Sequence, residues 1–209
     1  TVLEASSKTF FVSGAGGAIG AEITRQLLAG NPKKIILYEL SEYNLFQIER
    51  ECIAIIDSKD LDTSIIPILG DIRDQKNLKY IFKKFQIDHI YHAAAYKHVP
   101  LVEAENNLSI AAENNILGTY NLAKAALENS VQSFVMISTD KAVRPTNIMG
   151  ATKRFAEIII QSINASTDVT RFSMVRFGNV INSSGSVIPL FLDQISQGGP
   201  VTVTDKDVM

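Results

Sequence analysis

A glycine-rich loop between an apolar run and an amphipathic stretch constrains the fold of this chain more than any other feature. Residues 9–13 are β-branched and aromatic, as in a buried strand, and apolar residues recur at helical spacing after the glycines. Gly14 would permit a tight turn, and Gly17 would let a pyrophosphate approach the backbone closely. Gly20 would let the helix pack closely on the strand. A purely structural turn is the alternative. The loop predicts dinucleotide contacts from Gly14, Gly16, Gly17, Ala18, Ile19 and Gly20.

An acidic residue ends the second apolar run at the position expected of a ribose ligand. Glu39 follows residues 34–38 and lies nineteen residues after Gly20. A carboxylate there accepts hydrogen bonds from the adenosine ribose and repels a 2′-phosphate, so the sequence favours NAD over NADP. The alternative is a solvated strand end without a ligand.

Apolar runs alternate with amphipathic stretches along the whole chain, which predicts a doubly wound parallel sheet. Besides the two runs already described, strands are expected at residues 65–69, 87–92, 134–137, 169–177 and 201–203. With helices between them, they predict an α/β Rossmann fold of strand order 3-2-1-4-5-6. Ligands of such folds bind outside the carboxyl ends of the strands.

Three further segments place candidate cofactor contacts at that edge. Asp71 and Ile72 follow the third strand, where Asp71 would meet the adenine or act as a plain turn acid. Small side chains, Ala93, Ala94 and Ala95, follow the fourth strand, where a backbone must lie against a cofactor. Asn115 lies on the polar side of a long helix through residues 111–126, and a solvated amide is its alternative interpretation.

The candidate catalytic groups follow the fifth strand. Thr139, Asp140 and Lys141 leave its carboxyl end as a hydroxyl, a carboxylate and an ammonium group. Met149 and Lys153 are four residues apart in the next helix and therefore share one helix face. The alternative is a solvated turn in which the lysines are surface charges.

Composition excludes several classes of function. The net charge of −2, without a basic run, argues against nucleic acid as a partner and against binding to an anionic membrane surface. The three histidines have no acidic residue or cysteine near them at the spacing of metal ligands, so the sequence predicts no metal site. The single cysteine, Cys52, cannot form an internal disulfide. No window is long and apolar enough to span a bilayer, so we expect a cytoplasmic domain. The chain begins without methionine, and we interpret it as a fragment whose longer form could carry a membrane anchor.

The motifs resemble those of the extended short-chain dehydrogenase/reductases, and within them the bacterial polysaccharide-biosynthesis UDP-N-acetylglucosamine 4,6-dehydratases. The resemblance covers the chain from Phe10 onward and is most specific in its middle. It is carried by residues 14–20, 70–74, 91–103, 138–153, 176–180, 184–189 and 200–205. It implies an NAD-binding Rossmann domain over residues 1–180 and the incomplete start of a sugar-nucleotide-binding region over residues 181–209.

One position departs from the wider superfamily. Most short-chain dehydrogenases carry tyrosine four residues before the helix lysine, where this chain has Met149. Methionine cannot donate or accept a catalytic proton. In carrying methionine at this position, the chain resembles one branch of the dehydratases. Enzymes of that branch are often fused to membrane segments, and their product retains the C5 configuration of the sugar. The resemblance therefore assigns the acid–base chemistry to Asp140 and Lys141.

The resemblance also implies roles for these residues. Thr139 would hydrogen-bond the C4 oxygen, Lys141 would remove the C5 proton, and a protonated Asp140 would donate to the departing C6 hydroxyl. Lys153 would hold the nicotinamide ribose and stabilise the developing oxyanion. The implied substrate contacts are Lys97, His98, Asn179, Ser186, Val187 and Thr202. The partner would be a UDP-N-acetylhexosamine, and the enzyme a homo-oligomer. A nucleotide-sugar 4-epimerase and a non-catalytic NAD-binding regulatory module remain the alternatives.

Overall fold

The computed structural model describes residues 2–180 and 187–203. The chain divides into two units, Thr1–Phe177 and Gly178–Met209. The first unit contains the sheet and the helices that cover it. The described part of the second unit contains one helix and the segment that follows it. The functional boundary expected after residue 180 stays a prediction.

The first unit is built on a six-stranded sheet whose neighbouring strands all run parallel. The strands are β1 (Thr9–Ser13), β2 (Lys34–Glu39), β3 (Ser64–Leu69), β4 (His89–His92), β5 (Ser133–Thr139) and β6 (Arg171–Phe177). Their order is β3-β2-β1-β4-β5-β6, which confirms the predicted order. Along the chain, β2 and β3 are added on one side of β1, and β4, β5 and β6 are added on its other side, so the strand order reverses between β1 and β4. The carboxyl ends of these two strands therefore border the crevice where such folds bind ligands.

Helices connect the strands and cover both faces of the sheet. They are α1 (Ala18–Leu28), α2 (Glu42–Lys59), α3 (Gln75–Lys84), α4 (Val99–Glu103), α5 (Leu108–Ala112), α6 (Thr119–Glu128) and α7 (Ile148–Ala165). The second unit contains a helix of its own, α8 (Val187–Ser196). Among the helices whose N-terminal flank lies in the described residues, three begin with a side-chain cap. The Ser41 side chain accepts a hydrogen bond from the backbone amide of Asn44 at the start of α2. The Asp74 side chain accepts hydrogen bonds from the amides of Lys76 and Asn77 at the start of α3, and the Asn147 side chain accepts one from the amide of Gly150 at the start of α7.

The core consists of two apolar layers, one on each side of the sheet. Successive residues of a strand face opposite sides, so Phe11 and Ile36 belong to one layer and Val12 and Leu37 to the other. All four side chains are fully buried. Each such burial contributes about 1.5–3 kcal/mol, which explains why these strands are apolar on both faces.

Two predicted elements differ from the structure. The long helix expected through residues 111–126 is not uniform, because a π-helical segment, Glu113–Gly118, joins α5 to α6. The expected strand at residues 201–203 is wrong, since these residues have no regular secondary structure. Thr202 instead bonds to α8, where its backbone amide donates to Gln194 Oε1 at 2.9 Å and its hydroxyl accepts from Gln194 Nε2 at 2.8 Å. A strand needs a neighbouring strand to complete its hydrogen bonds, and none described pairs with these residues.

Candidate active site

The glycine loop folds tightly around Gly14, whose φ is +66°. A Cβ on Gly14 would lie 2.7 Å from the Cα of Ala94, so the loops after β1 and β4 meet backbone to backbone. A Cβ on Gly20 would collide with the carbonyl oxygen of Gly14, so α1 packs directly on the loop. Gly17 is different, because its nearest neighbour would be 3.4 Å away. The start of α1 therefore has the space and the exposed amides that an anion requires.

Glu39 is fixed by the backbone around it. Its Oε2 accepts the amide of Gly16 at 3.0 Å, and its Oε1 accepts the amides of Leu40 and Ser41, also at 3.0 Å. The carboxylate thus ties the end of β2 to the glycine loop. Three backbone donors hold it in place on the wall of the crevice, which is where the sequence predicts a ribose ligand.

Asp71 is engaged by an arginine that the sequence analysis did not identify. Arg73 donates to Asp71 Oδ2 from Nε at 2.9 Å and from Nη2 at 2.6 Å, and its backbone amide donates to Oδ1 at 2.8 Å. These hydrogen bonds lower the pKa of Asp71 below its ordinary value. The Tyr38 hydroxyl donates to the Asp71 carbonyl oxygen at 2.8 Å. The residue therefore shapes the crevice through its backbone as well as its charge.

These loops enclose a cleft of about 220 Å³ at the carboxyl edge of the sheet. The residues predicted as cofactor contacts that line it are Gly14, Gly17, Glu39, Asp71, Ile72, Ala93, Ala94 and Ala95. The sequence analysis did not identify six others as cofactor contacts, namely Tyr38, Leu40, Asn44, Gly70, Tyr96 and Asn114. Hydrophobic residues such as Tyr38 and Leu40 gave no signal, because their exposure to the cleft depends on how the strand end turns.

Thr139, Asp140 and Lys141, which we call the loop triad, lie where β5 ends, and the Thr139 side chain caps a one-turn 3₁₀ helix of Asp140–Ala142. The Thr139 hydroxyl accepts the Lys141 amide at 3.3 Å and donates to Asp140 Oδ1 at 2.9 Å. Lys141 Nζ lies 3.4 Å from the same oxygen. The Asp140 and Lys141 side chains are 58% and 35% exposed. A substrate can therefore reach all three functional groups.

The pKa of Asp140 lies below its ordinary value. The hydrogen bond from Thr139 is the main cause, and the charge of Lys141 acts in the same direction. Asp140 is thus a carboxylate in the ligand-free protein. The protonated Asp140 that the sequence resemblance implies would therefore have to form after a ligand binds.

Lys153 lies beneath the loop triad and is only 5% exposed. Its Nζ donates to the carbonyl oxygen of Ile137 in β5 at 2.7 Å. Burial lowers the pKa of Lys153 to about 8, although the charge of Glu157 acts against that change. A lysine with this pKa is partly neutral near physiological pH, so it can exchange a proton as well as donate hydrogen bonds.

Glu157 was not identified from the sequence, and it joins three elements under the triad. It is fully buried and accepts hydrogen bonds from Ser138 at 2.6 Å, from Arg176 Nη2 at 2.6 Å and Nε at 2.8 Å, and from Arg154 at 3.1 Å. Burial alone would raise its pKa, but these donors outweigh burial and lower it to about 2. We call Ser138, Lys153, Glu157 and Arg176 the Glu157 frame.

The start of α7 packs directly against the loop triad. A Cβ on Gly150 would collide with the carbonyl oxygen of Lys141. Met149 is buried and packs with Val102 and Ala111, so the residue at the usual tyrosine position belongs to the packed interior. Met149 and Lys153 both lie on the buried face of α7, as their spacing predicts.

Asn115 does not lie where the sequence analysis expected it. It is 1% exposed rather than on the polar side of its helix, because the π-helical segment turns it inward. It is not among the residues lining the cleft. Its amide bonds to Tyr96 and Thr152 instead.

The predicted substrate contacts fall into both units. Lys97 and His98 are exposed in the first unit, directly after Tyr96. Asn179, Val187 and Thr202 belong to the second unit, and Ser186 lies outside the described residues. Within residues 2–180 and 187–203, no cluster of three His, Cys, Asp or Glu side chains could hold a metal ion. No helix in the same residues has the length and apolarity to cross a membrane.

The parallel sheet, the glycine loop at its switch point and the loop triad beside it define a Rossmann-fold protein of the short-chain dehydrogenase/reductase type. A family model for polysaccharide biosynthesis proteins matches residues 10–209. The chain belongs to that family.

Relatives with curated names include dehydratases and epimerases. The chain is 49% identical over 98% of its length to the capsular polysaccharide biosynthesis protein CapD of Staphylococcus aureus, covering 33% of that protein. It is 37% identical to the UDP-N-acetylglucosamine 4,6-dehydratase (inverting) of Campylobacter jejuni, with 95% of the chain matching 58% of the relative. A UDP-glucose 4-epimerase of Rickettsia canadensis is 32% identical, with 96% of the chain matching 57% of the relative. The chain thus spans about a third to three-fifths of these relatives.

Two solved structures share the fold. Pen from Bacillus thuringiensis superposes with a TM-score of 0.86 at 38% identity, covering 96% of this chain and 61% of Pen. DesIV, a dTDP-glucose 4,6-dehydratase from Streptomyces venezuelae solved with NAD bound, superposes with a TM-score of 0.74 at 25% identity, covering 92% of this chain and 63% of DesIV.

Proposed function

We propose that this chain is the NAD-binding and catalytic part of a dehydratase that converts UDP-N-acetylglucosamine to UDP-4-keto-6-deoxy-N-acetylglucosamine with retention at C5. The observation that carries the proposal is the loop triad. Its carboxylate is exposed and its hydroxyl and amine are partly exposed beside a buried lysine, while methionine occupies the position where an epimerase or dehydrogenase would use tyrosine. An elimination needs both an acid and a base at this place, and an epimerase does not.

The cleft fits NAD at the points where the chain makes room for it. Gly14 and Gly17 keep the backbone clear at the start of α1, and Glu39 offers carboxylate oxygens for the adenosine ribose. The relative DesIV binds NAD on the same fold. When bound, NAD supplies a hydride acceptor for C4 and later the hydride donor for C6, so the reaction has no net redox change.

The first step removes hydrogen from C4. Because the Thr139 hydroxyl donates to Asp140, its oxygen can accept the C4 hydroxyl proton while its own proton passes to the Asp140 carboxylate. The hydride leaves C4, and a 4-ketone forms. Lys153, with its lowered pKa, stabilises the developing oxyanion. Asp140 becomes the acid that the next step requires.

The second step eliminates water and the third completes the product. Lys141, as the neutral amine, removes the C5 proton, which the 4-ketone has acidified, and the C6–oxygen bond breaks as Asp140 returns its proton to the departing hydroxyl. A hydride then adds to C6, and Lys141 returns a proton to the same face of C5, which retains the configuration. The sugar loses one water, and Asp140 and Lys141 end in their starting states.

Proton NMR of UDP-N-acetylglucosamine in deuterated water, with the full-length protein and catalytic NAD, tests this function. A new C6 methyl signal with deuterium at a retained C5 would support the proposal. A C5-inverted product would keep the dehydratase but contradict the stereochemistry, and the Campylobacter jejuni relative is named as inverting. Formation of UDP-N-acetylgalactosamine would favour an epimerase, as the Rickettsia relative is named. Stable NAD binding without turnover would favour the regulatory module.

The rest of the substrate site, the assembly and the location belong to the same proposal. Lys97 and His98 would line the sugar, and Asn179, Ser186, Val187 and Thr202 would bind the uridine diphosphate. A homo-oligomer is supported by exposed apolar side chains on the helices, including Leu117, Tyr120 and Phe155. Light scattering after gel filtration measures its size. We place the enzyme in the cytoplasm, with any membrane anchor outside this chain.

A further inference from the structure

The exposed face of α3 is basic along its whole length. The helix buries Leu78, Ile81 and Phe82 in the core layer that contains Phe11, and most of its other residues are exposed. Four of the exposed residues are lysines, and the helix contains no acidic residue. A fifth lysine, at the start of β2, lies beside the end of the same face. We call these lysines the basic strip: Lys34, Lys76, Lys79, Lys83 and Lys84.

Two aromatic rings hold the lysines at the C-terminal end of the strip. The ammonium groups of Lys34 and Lys84 lie 5.2 and 5.3 Å from the centroid of the Phe85 ring. Lys84 also lies 5.7 Å from the centroid of the Tyr80 ring, and Tyr80 itself is 63% exposed. Cation–π contacts of this kind place an ammonium group without neutralising it. The charges therefore stay available to a partner.

Carboxylates of the domain do not neutralise the strip. Within residues 2–180 and 187–203, the lysines that form ion pairs are Lys8, Lys124 and Lys141, and none of them belongs to the strip. The acidic residue just before α3, Asp74, caps the helix, where its carboxylate accepts two backbone amides. The chain carries a net charge of −2 because acidic residues elsewhere outweigh these lysines. Net charge and sequence runs, which argue against an anionic surface as partner, do not describe how charge is distributed on one face of a helix.

The chemistry of the strip fits an anionic lipid surface. All of its cations are lysines, whose hydrated ammonium groups act as point charges, whereas arginine suits the fixed two-pronged binding of a single phosphate. Tyr80 adds an exposed ring with a polar tip, and such side chains are enriched where membrane and water meet. Each lysine adds a modest attraction to an anionic bilayer, so several must reach the surface together. The exposed face of one helix presents them in a row.

The strip and the cofactor cleft occupy different parts of the first unit. Helix α3 begins three residues after Ile72 of the cleft wall and runs away from the carboxyl edge of the sheet, towards the start of β4. The residues that line the cleft include none of the strip. A surface that contacts the strip therefore need not cover the cleft.

We propose that the basic strip docks the domain on an anionic membrane surface, with α3 lying along the surface and Tyr80 among the lipid headgroups. The contact is peripheral and electrostatic, and it is made by this chain itself rather than by an anchor outside it. It does not depend on the proposed enzymatic function, since the strip contributes no residue to the candidate active site.

Lysine acetylation in the presence of vesicles tests the contact one residue at a time. The full-length protein is treated with an acetylating reagent beside vesicles of pure phosphatidylcholine, or of phosphatidylcholine and phosphatidylglycerol in equal parts. We expect the mixed vesicles to slow the acetylation of Lys76, Lys79 and Lys83 at low salt, and high salt to restore it. Lys59 is the internal reference, because it ends α2, which packs on the other face of the sheet. Since each lysine is measured separately, an anchor outside this chain cannot produce this pattern.

Two double variants measure how much the strip contributes. Lys79→Gln combined with Lys83→Gln removes two charges from the strip and keeps good helix formers at both positions. The concentration of mixed vesicles that half-protects Lys76 should rise about fivefold for each lysine removed. The matched control, Arg50→Gln combined with Lys59→Gln, removes the same charge from α2 and should leave that concentration unchanged.

Three results would overturn the proposal. Equal acetylation beside pure and mixed vesicles would show that the strip binds no anionic surface. Equal shifts in the two double variants would show a general attraction of charge and not a docking face. Protection of the same lysines without vesicles, rising with protein concentration, would assign this face to a second copy of the chain.

Discussion

The loop triad and the Glu157 frame begin at adjacent residues of β5 and are built in opposite ways. Thr139 leads into an exposed turn whose hydrogen bonds join three consecutive residues. Ser138 donates into the interior to Glu157, which also binds Arg176 on the neighbouring strand β6. The hydrogen bonds of the triad join neighbouring residues at the surface, whereas the frame joins β5, α7 and β6 around a carboxylate that is fully buried.

This difference separates chemistry from stability within a few ångströms. Exposed ion pairs contribute little to folding, so the triad can be changed without loss of the fold. A buried carboxylate is tolerated only with its partners, so the frame cannot lose one of them without a large cost. We therefore expect substitutions in the two regions to act on different measurements.

Replacing Lys141 should have the largest effect, and only on turnover. Lys141→Ala removes the proposed base for the C5 proton, and such groups contribute about two to four orders of magnitude in rate. NAD binding and the free energy of unfolding should stay near wild type, because the side chain is partly exposed. The measurement is the initial rate of methyl-group formation by NMR. Lys124→Ala, at an exposed ion pair on α6, is the control, and equal activity of the two variants would exclude Lys141 as the base.

The fold and the triad could be predicted because their signals are local in sequence. The glycine loop, the alternating apolar runs and the polar residues after β5 each lie within a short window, and strand order follows from chain connectivity. The triad was therefore placed at the correct edge of the sheet. Whether it performs the predicted chemistry is a matter for the experiments above.

The Glu157 frame could not be predicted, because its partners come from distant parts of the chain. Arg176 reaches Glu157 only because it pairs in register with Ser138 across the sheet. The sequence did contain one signal for Glu157: it lies four residues after Lys153, and both charged residues fall on the apolar face of the same helix. Asn115 was misplaced because regular helical periodicity does not anticipate a π-helical turn. Residues 201–203 have strand-like composition, but composition cannot supply a partner strand.

Neutralising Glu157 should have the next largest effect, and on stability. Glu157→Gln puts a buried amide donor among the donors Ser138, Arg154 and Arg176 and weakens their charge-assisted hydrogen bonds, which should cost about 2–3 kcal/mol of unfolding free energy. Urea denaturation followed by circular dichroism measures it. Acid should act similarly on the wild type. The folded pKa of about 2 lies below the ordinary 4.5, so this contribution is present above 4.5 and is lost as pH falls towards 2. A loss below 1 kcal/mol in Glu157→Gln would contradict the frame.

Lys153 should make stability rise with pH at the alkaline end. Its folded pKa of about 8 lies below the ordinary 10.5, so the unfolded chain binds the extra proton between these values. Stability therefore increases through that window, by about 2 kcal/mol between pH 8 and pH 10. The measurement is the difference in unfolding free energy between wild type and Lys153→Met across this range, which cancels other titrating groups. A difference that is flat with pH would show that burial does not perturb Lys153.

The smallest effect is expected at an exposed pair with the same chemistry as the frame. Arg25 on α1 binds Glu51 on α2, and their side chains are 39% and 41% exposed. Glu51→Gln removes the same charge as Glu157→Gln but in contact with water, so it should cost less than about 1 kcal/mol. Urea denaturation at low and high salt measures both variants. Salt should abolish the small loss in Glu51→Gln and leave that in Glu157→Gln, because only the exposed pair is screened. Equal losses in the two variants would mean that burial does not distinguish these glutamates, and the contrast between the two regions would then fail.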